Sequence, residues 1–158
     1  MGLARGSDRP HLGSMTKVWT IGYEQTAMPD FLAALKGAGV EVVADVRAIA
    51  SSRRPGFSKS ALAANLAEAG VEYRHFRALG TPADGRAAAR ALNRTKLEEI
   101  YAGQLELPEA MAAAAELADL CETRRVALLC YERDPGCCHR TLLREAVLPG
   151  FEVVDLYP

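Results

Sequence analysis

The feature that most constrains this chain is its regular alternation of short β-prone runs with longer helical segments. Lys17 to Ile21 is β-prone and ends at Gly22. Pro29 then opens a helix with Phe31, Leu32 and Leu35 on one stripe, stopped at Gly37 and Gly39. Glu41 to Val46 is a second strand. Ser58 caps a helix carrying Leu62, Leu66 and Ala69 on one face, and Val71 to Phe76 is a third, weaker strand. An Ala-rich stretch, about 86 to 103, reads as one helix and is followed by another opened by Pro108. Arg125 to Tyr131 is almost continuously apolar, the pattern of a strand covered on both faces. A helix with Leu142, Leu143, Ala146 and Val147 on one side follows, and Glu152 to Leu156 is the last strand. This order predicts an α/β fold: a single-domain, Rossmann-like three-layer sandwich around a mostly parallel sheet of about five strands.

The 158 residues are enough for one domain with a full core and no disulfides. Residues 1–14 read as a leader or extension, with Met15 as the natural start and 15–158 as the domain. No apolar run approaches the ~20 residues that span a bilayer, and no secretory signal is visible, so a cytoplasmic protein without membrane contact is expected. Four cysteines in such a chain do not build a disulfide framework. Cys121 and Cys130 lie in apolar patterns and read as core residues. Cys137 and Cys138 lie among polar residues in a loop, and their adjacency disfavours a bond between them.

Net charge is −1, but its distribution is uneven. Residues 45–96 carry ten Lys/Arg against four Asp/Glu, whereas 98–122 carry seven acidic side chains and no basic one. Either these are two solvated faces, or one side receives an anion.

In parallel sheets, ligands bind beyond the carboxyl ends of the strands. Three segments with chemistry fall there. Tyr23 follows the first strand, Asp45 and Arg47 end the second, and Glu132 to Arg140 follow the fourth. Cys138-His139-Arg140 begins a helix, where free N–H groups and the dipole favour a thiolate or a bound anion. Successive helical residues diverge by about 100°, however, so His139 and Arg140 are not both expected to face Cys138. Asp45 and Arg47, two apart on a strand, share a face; the carboxylate could orient a hydroxyl, act as a base or fix the arginine. Ser52, Arg53, Arg54 and Phe57 form a basic loop with one aromatic, able to grip a phosphate or stack a base. The assignment is therefore Cys138 as nucleophile, Glu132 or Asp45 as acid–base groups, and Tyr23, Arg47, Ser52, Arg53, Phe57, His139 and Arg140 as substrate contacts.

No G-x-G-x-x-G follows the first strand and no G-x-x-x-x-G-K occurs, which argues against an ordinary nicotinamide or ATP site. Cys130, Cys137, Cys138 and His139 lack paired Cys-x-x-Cys spacing, so neither structural zinc nor a dithiol redox motif is expected, and no cofactor is called for. Two functions compete: an enzyme acting through a thiolate on a phosphorylated or nucleotide-like substrate, and a non-catalytic nucleotide or nucleic-acid binding module. The near-zero net charge favours an anionic small molecule or mononucleotide over an extended duplex.

Thr20-Ile21-Gly22-Tyr23, Asp45-Val46-Arg47, Ser52-Arg53 with Gly56-Phe57-Ser58, Tyr73 and His75 before Leu79-Gly80, and Cys130-x-Glu132 leading to Cys138-His139-Arg140 together resemble one bacterial and archaeal family, domain of unknown function 488. The resemblance runs essentially from Met15 to the end. It implies a small, usually stand-alone α/β domain with Asp45, Arg47, Ser52, Phe57, Glu132, Cys138, His139 and Arg140 as signature residues, and no settled activity. One departure is Ala50, where the family tends to carry proline two residues before the serine.

Overall fold

The apolar run at 126–130 is the central strand of the sheet in a computed structural model that describes residues 16–158. The extension predicted at 1–14 and the start at Met15 lie outside the described residues. The strands are β1 (Lys17–Gly22), β2 (Val42–Asp45), β3 (Glu72–His75), β4 (Val126–Cys130) and β5 (Glu152–Leu156). The helices are α1 (Met28–Gly37), α2 (Lys59–Glu68), α3 (Ala83–Arg90), α4 (Arg94–Leu105), α5 (Pro108–Thr123) and α6 (His139–Val147), with 3₁₀ turns at Arg77–Leu79 and Pro135–Cys137. Every pairing is parallel and the strand order is β3-β2-β4-β1-β5.

Two-residue periodicity divides the sheet into two faces. Val18, Val42, Ala44, Val126 and Leu128 pack on α5 and α6 with Leu117, Leu120, Cys121 and Leu143. Trp19, Ile21, Val43, Ala127 and Leu129 face the other way, onto Phe31 and Leu35 of α1 and Leu62 and Leu66 of α2. All five β4 residues are buried, as a strand covered on both faces requires. The molecule is thus the expected three-layer α/β sandwich.

Two local expectations change. The Ala-rich stretch is two helices rather than one. Leu92 takes a left-handed φ of 57°, and Asn93 starts α4 afresh by accepting a hydrogen bond from the Lys96 amide at 3.2 Å. Ser58 does precede α2, but its hydroxyl does not cap the helix. It accepts from the Ser52 amide (2.9 Å) and donates to the Ser52 carbonyl (3.0 Å), closing the 52–58 loop on itself.

The strand order explains why three distant segments meet. β4 enters between β2 and β1, so the residues that leave these three strands emerge side by side at one edge. The approach is close. A Cβ placed on Gly22 would lie 1.8 Å from the Glu132 carbonyl oxygen, so only glycine lets the chain beyond β4 pass over the end of β1. On the far side, a Cβ on Gly80 would meet the Ala48 amide at 2.2 Å, which pins the loop after β2 against the 3₁₀ turn.

Candidate active site

Asp45 and Arg47 form a closed network. Asp45 is fully buried, and its carboxylate receives Arg47 Nε at 2.8 Å and Nη2 at 2.7 Å, the Arg47 amide at 3.1 Å and the Tyr73 hydroxyl at 2.6 Å. Arg47 Nη1 donates to the Tyr23 hydroxyl (3.1 Å) and the Phe57 carbonyl (2.8 Å), and His75 Nε2 donates to the Arg47 carbonyl at 2.8 Å. Burial opposes the guanidinium charge, but the hydrogen bond and charge of Asp45 outweigh it and hold Arg47 above its ordinary range. Burial and the Asp45 hydrogen bond likewise push the Tyr73 phenol up. Of the three roles open to Asp45, the geometry selects the fixing of an arginine, because its lone pairs are taken.

Beside this network lies a cavity of about 480 Å³. Cys130, Cys138, His139 and Glu132 form its floor, and Arg53, Arg54, Arg86 and Arg90 stand in its wall with Ile49, Leu97 and Tyr131. Cys138 is the N-cap of α6 in extended conformation (φ −133°, ψ 153°), and its sulfur accepts from the Arg140 amide at 3.5 Å. That non-helical position lets the imidazole reach the sulfurs, with His139 Nδ1 3.8 Å from Cys138 Sγ and 3.6 Å from Cys130 Sγ. The Arg140 guanidinium turns instead to the Glu132 carbonyl, so the two side chains do diverge as expected. The other ring nitrogen, Nε2, donates to the Val46 carbonyl at 2.7 Å, and the Tyr101 ring meets the imidazole edge-on at 5.2 Å.

The electrostatics separate the two thiols. Burial alone would raise Cys138, but the hydrogen bond from Cys130, the charge and hydrogen bond of His139 and the charge of Arg140 bring it well below the ordinary thiol range. Cys130, which gives that hydrogen bond and is itself buried, moves well above it. Burial, followed by the negative charge on Cys138, pushes Glu132 up to about 7. His139 is disfavoured as a cation by burial, yet the Cys138 charge and hydrogen bond and the Val46 carbonyl carry it above the ordinary imidazole value.

Of the residues singled out in the sequence, Cys138, His139, Glu132, Tyr23, Arg47, Ser52 and Arg53 line one cavity. Asp45, Phe57 and Arg140 lie behind its wall, each 1% exposed or less. Phe57 does not offer a face to a base: Tyr23 stacks on it at 4.6 Å and Phe31 meets it edge-on at 5.0 Å. Arg47 is too heavily engaged to serve as an anion clamp. Arg140 Nη2 donates to the Glu132 carbonyl while its buried Nε has no partner. For Cys137, no side-chain placement is described.

Sequence reasoning missed Cys130, Arg86 and Arg90. Cys130 read as core because it ends an apolar strand, yet a strand's last residue borders the carboxyl edge. The i, i+4 spacing of Arg86 and Arg90 places both on one face of α3, a usable signal. Proximity in space is also hidden by spacing in sequence. Cys130, Cys138 and His139 bring three donor atoms within 4.8 Å of one another, all buried, although eight positions separate the two thiols in sequence.

Fold and floor together define a parallel α/β sandwich with a thiol-based pocket at its carboxyl edge. The family model described as domain of unknown function DUF488 matches residues 27–147, and the chain belongs to that family. Neither a curated protein nor a solved structure matches it.

Proposed function

We propose that the protein is an enzyme that uses the Cys138 thiolate as nucleophile on a phosphorylated or nucleotide-like small molecule. One observation carries the reading. Cys138 sits at the N-terminus of α6 on the floor of a cavity whose wall holds Arg53, Arg54, Arg86 and Arg90, none of which forms an ion pair among the described residues. An anion would find charge compensation at the wall, with its reacting atom directed to the sulfur.

On a phosphate monoester the attack forms an S–P bond and breaks the ester P–O bond. The leaving oxygen takes a proton from Glu132. Water, giving its proton back to Glu132, then releases phosphate and restores the thiolate. Asp45 takes no part in this sequence; it holds Arg47 in the wall. Cys121, Cys130 and Cys138 are free thiols, and together with the lack of any helix among the described residues long and apolar enough to cross a membrane, this supports a reducing, cytoplasmic setting.

The test is a thermal-shift and turnover screen against nucleotides, sugar phosphates and inorganic phosphate. A hit that raises Tm in the native chain and in Cys138→Ser, but is turned over only by the native chain, is the expected result. Turnover that persists in folded Cys138→Ser would exclude covalent catalysis. A hit bound tightly and never turned over would replace the reading with a non-catalytic nucleotide-binding module.

A further inference from the structure

Among the buried groups, one set has the chemistry and the spacing of a coordination sphere. Two thiols and an imidazole, from the end of β4 and the start of α6, converge with their donor atoms inside 4.8 Å. We propose that Cys130 Sγ, Cys138 Sγ and His139 Nδ1 bind a soft divalent cation, Zn²⁺ by ligand type, with the fourth position facing the cavity.

The distances can be set against what a tetrahedral ion demands. With Zn–S of about 2.3 Å and Zn–N of about 2.0–2.1 Å, tetrahedral angles put a thiolate and an imidazole nitrogen about 3.6 Å apart. The two sulfur–nitrogen separations here are 3.6 and 3.8 Å. Both sulfur–nitrogen edges of the cluster therefore have nearly the length the ion would impose, and the two sulfurs lie within 4.8 Å of each other.

The surroundings match as well. Metal-binding imidazoles donate their second nitrogen to a carbonyl or carboxylate, which fixes the tautomer. His139 Nε2 donates to the Val46 carbonyl at 2.7 Å, which leaves the Nδ1 lone pair for the side of the sulfurs. The Arg140 amide, at 3.5 Å from Cys138 Sγ, compensates part of the thiolate charge. Glu132 Oε1 stands 3.6 Å from Cys130 Sγ but lies outside the cluster of three converging donors, so the fourth position is left to water or a ligand anion. Two thiolates neutralise the ion, and Arg140 offsets Glu132, so the loaded cluster carries no net charge into the interior. Two thiolates, one imidazole and an open position make the ligand set of a reactive rather than a purely structural zinc site.

The inference concerns a second, metal-loaded state of the thiol on which the proposed function rests. A thiolate bound to zinc is not a free nucleophile, so loading would suppress the covalent route.

The experiment uses the full chain, reduced and stripped of metal with a chelator, and titrated with Co²⁺. The expected result is one equivalent bound per chain, with thiolate-to-cobalt charge-transfer absorption and the intense d–d bands of four-coordination, displaced by Zn²⁺ with a rise in Tm. Cys137→Ser should keep the spectrum, and Cys130→Ala/Cys138→Ala should lose it. A footprint of alkylated cysteines on the native chain needs no variant: Zn²⁺ should slow modification of Cys138 at least tenfold. A folded native chain without the charge-transfer band, a band that survives in the double variant or is lost in Cys137→Ser, or a Cys138 alkylation rate indifferent to Zn²⁺ would each overturn the assignment. Fast alkylation that Zn²⁺ leaves unchanged removes the metal and keeps the nucleophile. Zn²⁺ protection without any turnover of phosphorylated compounds does the reverse.

Discussion

Two clusters of charged and polar residues share the carboxyl edge of this sheet, and they are built on opposite terms. Around Asp45 and Arg47, the carboxylate is filled by donors and the guanidinium is engaged on all three nitrogens. Around Cys138, two thiols, an imidazole and a carboxyl crowd together, and the buried Arg140 Nε is left without a partner. A satisfied buried network holds shape, whereas an unpartnered buried donor calls for an explanation, and the proposed site supplies one. As sequence the two look alike, since each is a short string of acid, base and nucleophile types. What differs between them is the completeness of their bonding.

The sharpest way to break this contrast is Asp45→Ala. It leaves the Arg47 charge buried and unpaired, and the expected loss of about 3–5 kcal/mol should show as a clear drop in the urea or thermal midpoint. Arg47→Ala should cost a similar amount, and the double variant less than the sum of the two. A mild effect of Asp45→Ala would mean that this half is not the scaffold.

Cys138→Ser is the mirror experiment. The site reading expects it to remove turnover, by about a thousandfold or more, while stability changes by about 1 kcal/mol or less. Urea melts and steady-state rates on the same preparation separate the two halves directly.

Cys121 supplies a thiol of a third kind, packed among apolar side chains on α5, where burial and, secondarily, Glu122 push its pKa up to about 12. It should resist alkylation in the folded chain at neutral pH. The unfolded chain releases this proton near the ordinary thiol value of about 8.5 and the folded chain only near 12, so folding binds the proton more tightly. The stability it contributes is present below pH 8.5 and is lost between there and pH 12. Melts of the native chain and Cys121→Val across this window should therefore converge or cross as pH rises; parallel curves would contradict the assignment.

The smallest structural effect is expected at the wall. Arg90→Ala should leave stability within about 0.5 kcal/mol, yet weaken binding of an anionic hit and flatten its salt dependence. Unchanged affinity would remove Arg90 from the binding surface.

Much of the fold was readable from the chain. The spacing of Phe31 and Leu35, of Leu62 and Leu66, and the unbroken run 126–130 each report one layer of the sandwich, because burial on a helix stripe or on both faces of a strand imposes that pattern. The break at Leu92 was not readable, since a left-handed leucine is a tertiary compromise that local propensity disfavours. The strand order was hidden too, because pairing is decided by packing across the whole sheet. Within the site, Cys138, Glu132 and Arg53 could be picked out by their place after a strand or in a basic loop. Phe57 misled because an aromatic in a glycine-containing loop looks exposed, whereas here Tyr23 and Phe31 enclose it. That His139 rather than Arg140 is the one to face Cys138 was not readable, because Cys138 stands just outside the helix and its extended backbone sets the angle.

One peptide unit ties the two clusters together. The carbonyl of Val46 receives His139 Nε2, and the amide that shares its plane, that of Arg47, donates to Asp45. A planar amide cannot tilt at one end without tilting at the other. The buried ion pair therefore acts as a clamp on the orientation of the imidazole, and the angle at which His139 addresses both sulfurs is set from the opposite side of the bond. A substitution at Asp45 mild enough to leave the chain folded should thus be felt as a change in thiol reactivity across the edge of the sheet, a coupling carried by six coplanar atoms.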